Sequence, residues 1–357
     1  MTEARLTRLR EALDERGVDA VLIAKPENRA YLSGFTGSAG LLLISRDKAA
    51  LITDFRYVEQ ATAQAPAFTV VKMDSTNQAA VARLLDEWGV KRLGFEGDFL
   101  TVDDHQSYQQ AAAGCQWTSI AGLVEGLRMI KDEAEIALMR KAAAIADEAF
   151  AQILPLIRPG VTERDLATEL EYRMKKLGAA GVAFETIVAS GARSSLPHGT
   201  ASDKKVESGD LVTFDFGALY QGYCSDMTRT VMVGEPTDKQ REIYGIVLEA
   251  QKRGVAACRP GITGKELDDV CRSYIAEKGY GEYFGHGTGH GVGRFIHEGP
   301  RISQRGGDVV LRPGMVVTVE PGIYLPGWGG VRIEDMLLVT DSGSESFSQS
   351  PKELLIL

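Results

Sequence analysis

The strongest constraint on the fold is that part of this chain is written twice. RPGVTERDLATEL begins at residue 158 and returns, diverged, as RPGITGKELDDVC at residue 259. SGDLVTFD (208–215) returns as PGMVVTVE (313–320). The two offsets, 101 and 105 residues, are nearly the same. Each copy reads as a helix, a second helix after the RPG turn, then a strand hairpin. This pattern predicts two similar halves packed face to face.

Each copy ends in acidic residues at mirrored positions. In the first, LVTFDFG leads through ALYQGY into CSDMTRTVMV, and Asp215 and Asp226 are equidistant from the Tyr220–Gln221 peptide. In the second, Glu320 and Glu334 are equidistant from Gly327 in PGIYLPGWGG. In an unbulged antiparallel hairpin such positions face each other, with Cβ atoms about 5 Å apart. Opposed carboxylates repel unless a cation lies between them. One pair per copy brings four carboxylates to one spot, which suits two divalent ions.

The histidines lie in the same stretches. The chain has five, and three of them, His286, His290 and His297, fall in HGTGHGVGRFIHEGPR. A fourth, His198, sits in SLPHGT upstream of Asp215. His290 adds a nitrogen ligand. One imidazole with mainly carboxylate oxygens favours manganese, or cobalt or zinc. Two such ions can hold a bridging hydroxide and polarise a carbonyl together, which is hydrolytic chemistry. Taken singly, a strand aspartate is usually a turn or edge residue and a lone histidine a satisfied core group. HGTGHG alone could be a glycine-rich turn. Their joint occurrence at mirrored positions carries the metal reading.

The rest of the chain predicts a second domain, as its 357 residues suggest. Residues 3–16 place Leu6, Leu9 and Leu13 on one helical face, stopped by Gly17. VDAVLIA (18–24), AGLLLIS (39–45) and AALIT (49–53) read as strands. A helix over 76–88, a strand at KRLGFEG and a helix after Thr101 follow. This alternation predicts an α/β domain over residues 1–125, with the repeated domain over 126–357. SGFTGSAG, between the first two strands, reads as an exposed, mobile loop. His105, among Asp and Gln, reads as solvated. LRMIKDEAEIALMRKAAAIADEAFAQILPLI reads as one long helix with an acidic start.

Composition excludes several classes. A net charge of −9 opposes a nucleic-acid partner. No segment reaches the roughly 18 apolar residues of a membrane span. The charged N-terminus lacks the apolar core of a signal peptide, so a cytoplasmic location is expected. The four cysteines have no metal-type spacing and read as reduced, buried thiols.

LPHG, DFGALYQGYCSDMTRT, GHGTGHGVGRFIHEGPR, TVEPGIY and VRIED together resemble the pita-bread metallopeptidases, in the prolidase and aminopeptidase P branch. The motifs span 195–335, and the two-domain arrangement covers the whole chain. The resemblance implies an α/β creatinase-like N-terminal domain and an α+β pita-bread catalytic domain with pseudo-twofold symmetry. It implies that Asp215 holds one metal, that Asp226 and Glu334 bridge both, and that His290 and Glu320 complete the other. Glu320 would also manage the proton of the bridging water. His198 and His297 would hydrogen-bond the scissile peptide and its tetrahedral intermediate. His286 would line the pocket for the proline ring, with Tyr324 and Arg332 supporting that pocket and the metal shell. Arg301, in the loop leading out of the site, would pair with the carboxylate of a dipeptide substrate.

The implied activity is hydrolysis of the Xaa-Pro bond in dipeptides, in a cytoplasmic homodimer whose SGFTGSAG loop approaches the partner's site. Aminopeptidase P activity on longer peptides is the alternative, and a non-catalytic peptide-binding homologue is a third. Methionine aminopeptidases share the ligands but usually lack the long N-terminal domain, the histidine at His286 and the VRIED form. Creatinase-like enzymes share both domains without the full metal set, which is intact here.

Overall fold

A computed structural model describes residues 2–357. The chain divides into two compact units, the first running to Arg128 and the second spanning Met129–Leu357. Residue 125, the predicted end of the first domain, lies inside a helix of the first unit.

The first unit contains α1 (Thr2–Arg16), β1 (Ala20–Ile23), α2 (Pro26–Ser33), β2 (Leu41–Ser45), β3 (Ala49–Thr53), α3 (Val58–Gln64) and β4 (Thr69–Lys72). It continues with α4 (Asn77–Trp88), β5 (Arg92–Phe95), α5 (Val102–Ala111), β6 (Gln116–Ser119) and α6 (Leu123–Arg128). The strands form one mixed sheet in the order β4-β3-β2-β1-β5-β6. β1 is central, antiparallel to β2 and parallel to β5. Its alternate residues feed two cores: Val21 and Ile23 pack with Leu9 and Leu13, and Ala20 and Leu22 pack with Val81 and Leu84. Burial on both faces explains why the strand itself, AVLI, is apolar throughout and does not alternate.

Three expectations for this part of the chain are corrected. SGFTGSAG is not a free loop: Phe35 is fully buried, and Arg29 donates to Gly37 O at 2.5 Å and Gly40 O at 2.6 Å. Ahead of it lies α2, unanticipated because its cap is remote. The Glu96 carboxylate accepts from the backbone N–H of Ala24 at 2.6 Å and Lys25 at 2.7 Å. His105 is half-buried, stacked on Phe95 with ring centroids 4.3 Å apart and edge-on to Trp117. Finally, the stretch 127–157 holds a long helix with the expected acidic start at Asp132 and Glu133, but its first residues belong to another element. α6 ends at Arg128, and α7 (Glu133–Ile153) starts afresh at Asp132, whose side chain forms a capping box with Glu135.

The second unit begins with α7 and shows the repeat directly. The first copy adds α8 (Glu163–Lys176), β7 (Gly181–Val182), β8 (Ile187–Ser190), β9 (Leu211–Phe216), β10 (Ala218–Tyr220), β11 (Tyr223–Cys224) and β12 (Met227–Met232). The second copy has α9 (Asp238–Ala257), α10 (Gly264–Glu277), β13 (Gly289–Gly291), β14 (Glu298–Ile302), β15 (Val316–Val319), β16 (Gly322–Leu325), β17 (Gly329–Arg332), β18 (Asp335–Val339) and β19 (Ser344–Ser346). The post-RPG helices α8 and α10 are both 14 residues long, opened by capping boxes at Thr162 and Thr263. Those same threonines form equivalent bridges, to Lys205 and to Val310. Each copy has its own core. Phe150, Leu166, Leu170, Phe214 and Val231 fill the first, and Val247, Leu267, Val317, Val319 and Leu337 the second.

The hairpins carry the acidic residues, and only one has the expected register. In the second, Val319 pairs with Asp335 and Gly322 with Arg332, so Glu320 and Glu334 stand at opposed positions. In the first, Asp215 pairs with Thr228, not with Asp226. The turn falls at Gln221–Gly222, which take positive φ of 47° and 80°. Glycine suits that left-handed position, as a two-residue hairpin turn requires. Moving the centre by one residue moves the partner by two. Because strand side chains alternate with period two, Asp226 keeps the face it was expected to have.

Candidate metal centre

The two hairpins meet where the second one opens. Between its two ladder segments, Glu320 N donates to Thr288 O at 2.8 Å and Glu334 N donates to Thr228 O at 3.1 Å. Thr228 Oγ1 returns a bond to Glu334 Oε2 at 2.6 Å. Strands of both copies are thereby joined at the acidic positions. Asp226 and Glu334 are buried, whereas Asp215, Glu320 and His290 are partly exposed. His290 Nε2 lies 3.5 Å from Asp226 Oδ2 and 3.4 Å from Glu320 Oε1. Ligand atoms of Asp226, His290 and Glu334 all fall within 4.8 Å of one another.

These residues fit divalent cations on grounds of their own. Asp215 Oδ1 and Glu334 Oε1 are buried with no hydrogen-bond partner among the described residues. Each such oxygen carries an uncompensated desolvation cost that a cation would remove. Burial, then the charge of the neighbouring carboxylates, holds Asp226 and Glu334 well above the usual carboxylate range. Burial pushes Glu320 up to about 8. His290 is pushed down to about 4, first by burial and then by His297. Its Nδ1 lies 3.1 Å from Gly291 O, so Nδ1 carries the proton and Nε2 is the free electron pair. A neutral imidazole facing four crowded carboxylates is the donor set of a hard or borderline divalent ion.

Arg332 organises the surrounding bonds. Its Nη2 donates to Asp215 Oδ2 at 2.6 Å and its Nη1 to Tyr324 Oη at 2.8 Å. Tyr324 Oη lies 2.7 Å from His286 Nε2, and His286 Nδ1 lies 2.8 Å from Gly287 O. A guanidinium only donates, so the tyrosine hydroxyl gives its proton to His286 Nε2 and His286 keeps its own on Nδ1. Burial, then the Arg332 charge, pushes His286 down to about 4, in keeping with a neutral ring.

A cavity of about 640 Å³ opens over these acidic residues. All the predicted site residues line it except Tyr324, which is joined to it through His286 and Arg332. His198 and His297 are exposed on its wall, and the His297 ring lies 4.4 Å from that of His290. Burial leaves His297 below its usual value. Phe184, Ile187 and Ile296 supply apolar wall. Arg301 corrects an expectation: it is on strand β14, paired with His290, and not in an outgoing loop. Its side chain is exposed in the cavity, and no hydrogen bond or ion pair to it is found among the described residues.

Three supporting groups lie outside the predicted site residues. Thr228 bonds both Glu334 and Arg332. Thr318 accepts from His290 N at 3.1 Å and donates to Glu320 Oε1 at 3.2 Å. Asp268 accepts from Thr288 N and Oγ1 at 2.9 and 2.8 Å. The threonines lie two residues from a metal-site carboxylate on the same strand face, a spacing that could have identified them. Asp268 carries no such signal, because it comes from a helix in another part of the copy.

Comparison with known proteins agrees with this architecture. Residues 137–341 match metallopeptidase family M24, and residues 5–130 match the creatinase/prolidase N-terminal domain. An Xaa-Pro dipeptidase from Pyrococcus horikoshii is 47% identical over 348 residues, covering 97% of each chain. The structure of an Xaa-Pro dipeptidase from Bacillus anthracis superposes with a TM-score of 0.98 at 53% identity, over 100% of both chains. An X-Pro aminopeptidase from Thermotoga maritima superposes with a TM-score of 0.90 at 44% identity, over 96% of this chain and 99% of that one.

Proposed function

This chain belongs to metallopeptidase family M24, with a creatinase/prolidase N-terminal domain and a pita-bread catalytic domain, and from that premise we propose that it hydrolyses the Xaa-Pro bond of dipeptides. One observation carries the reading. Four carboxylates and His290, drawn from both copies of the repeat, converge under a cavity whose wall also holds His198, His297 and the unpaired Arg301. In this reading Asp215, Asp226, His290, Glu320 and Glu334 hold two divalent ions, with manganese the metal that the donor set favours. When bound, the ions supply Lewis acidity that activates a water and polarises the scissile carbonyl.

The chain's own groups do the rest. Glu320 takes the proton of the attacking water and passes it on toward the departing proline nitrogen. His198 and His297 donate hydrogen bonds to the scissile peptide as negative charge develops on its oxygen. His286, held by Tyr324, forms the wall against the proline ring. Arg332 keeps Asp215 oriented. Arg301 pairs with the free carboxylate that only a dipeptide presents on its proline.

A second reading, Xaa-Pro aminopeptidase, draws support from the likeness to the Thermotoga maritima enzyme. Product analysis of the manganese-loaded enzyme with Gly-Pro, Ala-Pro and a longer Xaa-Pro peptide separates the two. Dipeptidase activity requires faster turnover of the dipeptides. Preferred removal of the first residue from the longer peptide assigns the aminopeptidase, and no cleavage of any of them rejects both. The proposal extends to a homodimer in the cytoplasm, for which light scattering and cell fractionation are the tests.

A further inference from the structure

We propose that Glu163, which does not line the cavity, is a positioning residue that sets His198 against the scissile peptide. This rests on the reading of His198 given above. His198 lies between β8, which ends at Ser190, and β9, which begins at Leu211. From Gly191 to Thr200, regular structure is limited to a 3-10 turn at Gly191–Ser195 and a bridge from Ile187 to Thr200. An exposed histidine on such a segment has little packing of its own to orient it, yet Pro197, His198 and Thr200 form part of the cavity wall.

Glu163 supplies the missing constraint. It is the first residue of α8 and wholly buried. Its Oε1 accepts from Ser190 N at 2.7 Å and Ser190 Oγ at 2.8 Å. Its Oε2 accepts from Ser202 N at 3.1 Å, from Ser202 Oγ at 2.7 Å and from Arg193 Nη1. One carboxylate therefore ties the segment at its entry, at its turn and at its exit. Arg193 Nη2 adds a bond to Thr200 O at 2.8 Å. At the cavity end the segment is fixed to the metal centre, since Arg332 Nη1 donates to Pro197 O at 3.2 Å and Gly330 N to Ser194 Oγ at 2.8 Å. His198 is the residue after that carbonyl.

The other copy repeats the device. Asp268 on α10 is wholly buried, accepts from Thr288, and pairs with Arg272, whose Nη2 donates to His286 O at 2.6 Å. In each copy, a buried carboxylate on the helix after the RPG turn fastens the segment that carries a cavity histidine. A carboxylate is the group for this task because it accepts at two oxygens and donates nothing. A glutamine would accept at one oxygen only and set its NH2 against donors.

The test is a double-mutant cycle with His198→Ala. Glu163→Gln and Ser202→Ala each weaken the clamp, the second without removing the Glu163–Arg193 pair. With Ala-Pro and manganese-loaded enzyme, each should lower kcat roughly 10- to 100-fold, the scale of small misplacements in a site. In the His198→Ala background each should cost no more than about twofold, because a positioning effect vanishes with the group it positions. Bound manganese should stay at the parent's value, while the backbone amides of 191–202 should exchange faster with solvent. Equal losses with and without His198, or unchanged exchange and kcat in Ser202→Ala, overturn the proposal. Should Glu163→Gln not fold, Ser202→Ala decides alone. A parent that cleaves no Xaa-Pro peptide sinks the functional reading and the role of His198 with it. A cleaving parent with an additive cycle sinks the role of Glu163 alone.

Discussion

Arg332 and Asp215 form a close ion pair at the candidate metal centre: the buried guanidinium donates to Asp215 Oδ2 at 2.6 Å while Oδ1 has no hydrogen-bond partner among the described residues. The pair divides the carboxylate between two tasks. One oxygen is spent on orientation, and the other stays buried and available to a cation. The same guanidinium reaches Tyr324 and so ties the metal centre to His286.

Arg332→Ala should therefore weaken manganese binding by about 10- to 100-fold, the usual cost of losing a group that orients a ligand. It should also destabilise the metal-free protein by about 1–3 kcal/mol, because a partly buried carboxylate loses a charge-assisted hydrogen bond. Calorimetric titration and denaturant unfolding check the two effects. An unchanged metal affinity would show that Asp215 needs no such support.

Metal-free protein should lose stability as pH rises above neutrality. Asp226, Glu320 and Glu334 are all held above their ordinary values, Glu320 at about 8. A carboxyl raised on folding contributes fully below its unfolded pKa, and the contribution is lost as pH climbs through the folded one. His286 and His290, pushed down to about 4, have the opposite sign, and their contribution is lost as pH falls from 6.5 toward 4. From 6.5 to 8 only the carboxylate effect remains. The melting temperature of chelator-treated protein should drop across that interval, by about 2–4 °C for each kcal/mol lost. Manganese-loaded protein, whose ligands are already deprotonated, should stay level. A level curve for the metal-free protein would contradict the crowding of carboxylates described here.

His198→Ala and His297→Ala should each lower kcat by about 10²-fold or more, as expected for lost hydrogen-bond or acid–base help to the developing oxyanion. Bound metal should be unchanged, because neither ring is among the five proposed ligands. Metal analysis alongside the kinetics makes the distinction, and loss of metal in either variant would move that histidine into the ligand set.

Arg301→Ala should erase a preference for dipeptides. The parent should favour Ala-Pro over Ala-Pro extended by one residue, and kcat/KM for the two should converge in the variant. The side chain is exposed in the cavity and free to form two parallel bonds to a carboxylate, which an amide cannot match. A parent that cleaves the longer peptide equally well would assign the enzyme to the aminopeptidase reading.

Much of this was legible in the chain because it depends on local periodicity. The capping boxes at Thr162 and Thr263 are spelled within four residues, and both open the helices that the repeat implies. The face of each acidic residue follows from the two-residue period of a strand, so a wrong turn centre in the first hairpin still left Asp215 and Asp226 on one side. What tertiary structure alone decided involves partners distant in sequence. The choice of Gln221–Gly222 as the turn places Asp215 opposite Thr228. α2 takes its cap from Glu96, and His105 stacks on Phe95 where its polar neighbours suggested water. Glu334 bonds Thr228 of the other copy, and this brings two ordinary acidic hairpins into one candidate metal centre. A sequence states which side chains share a face, because backbone geometry is the same everywhere along a strand. It does not state which faces meet, because that is settled by the packing of two cores and by hydrogen bonds that close only when both are formed.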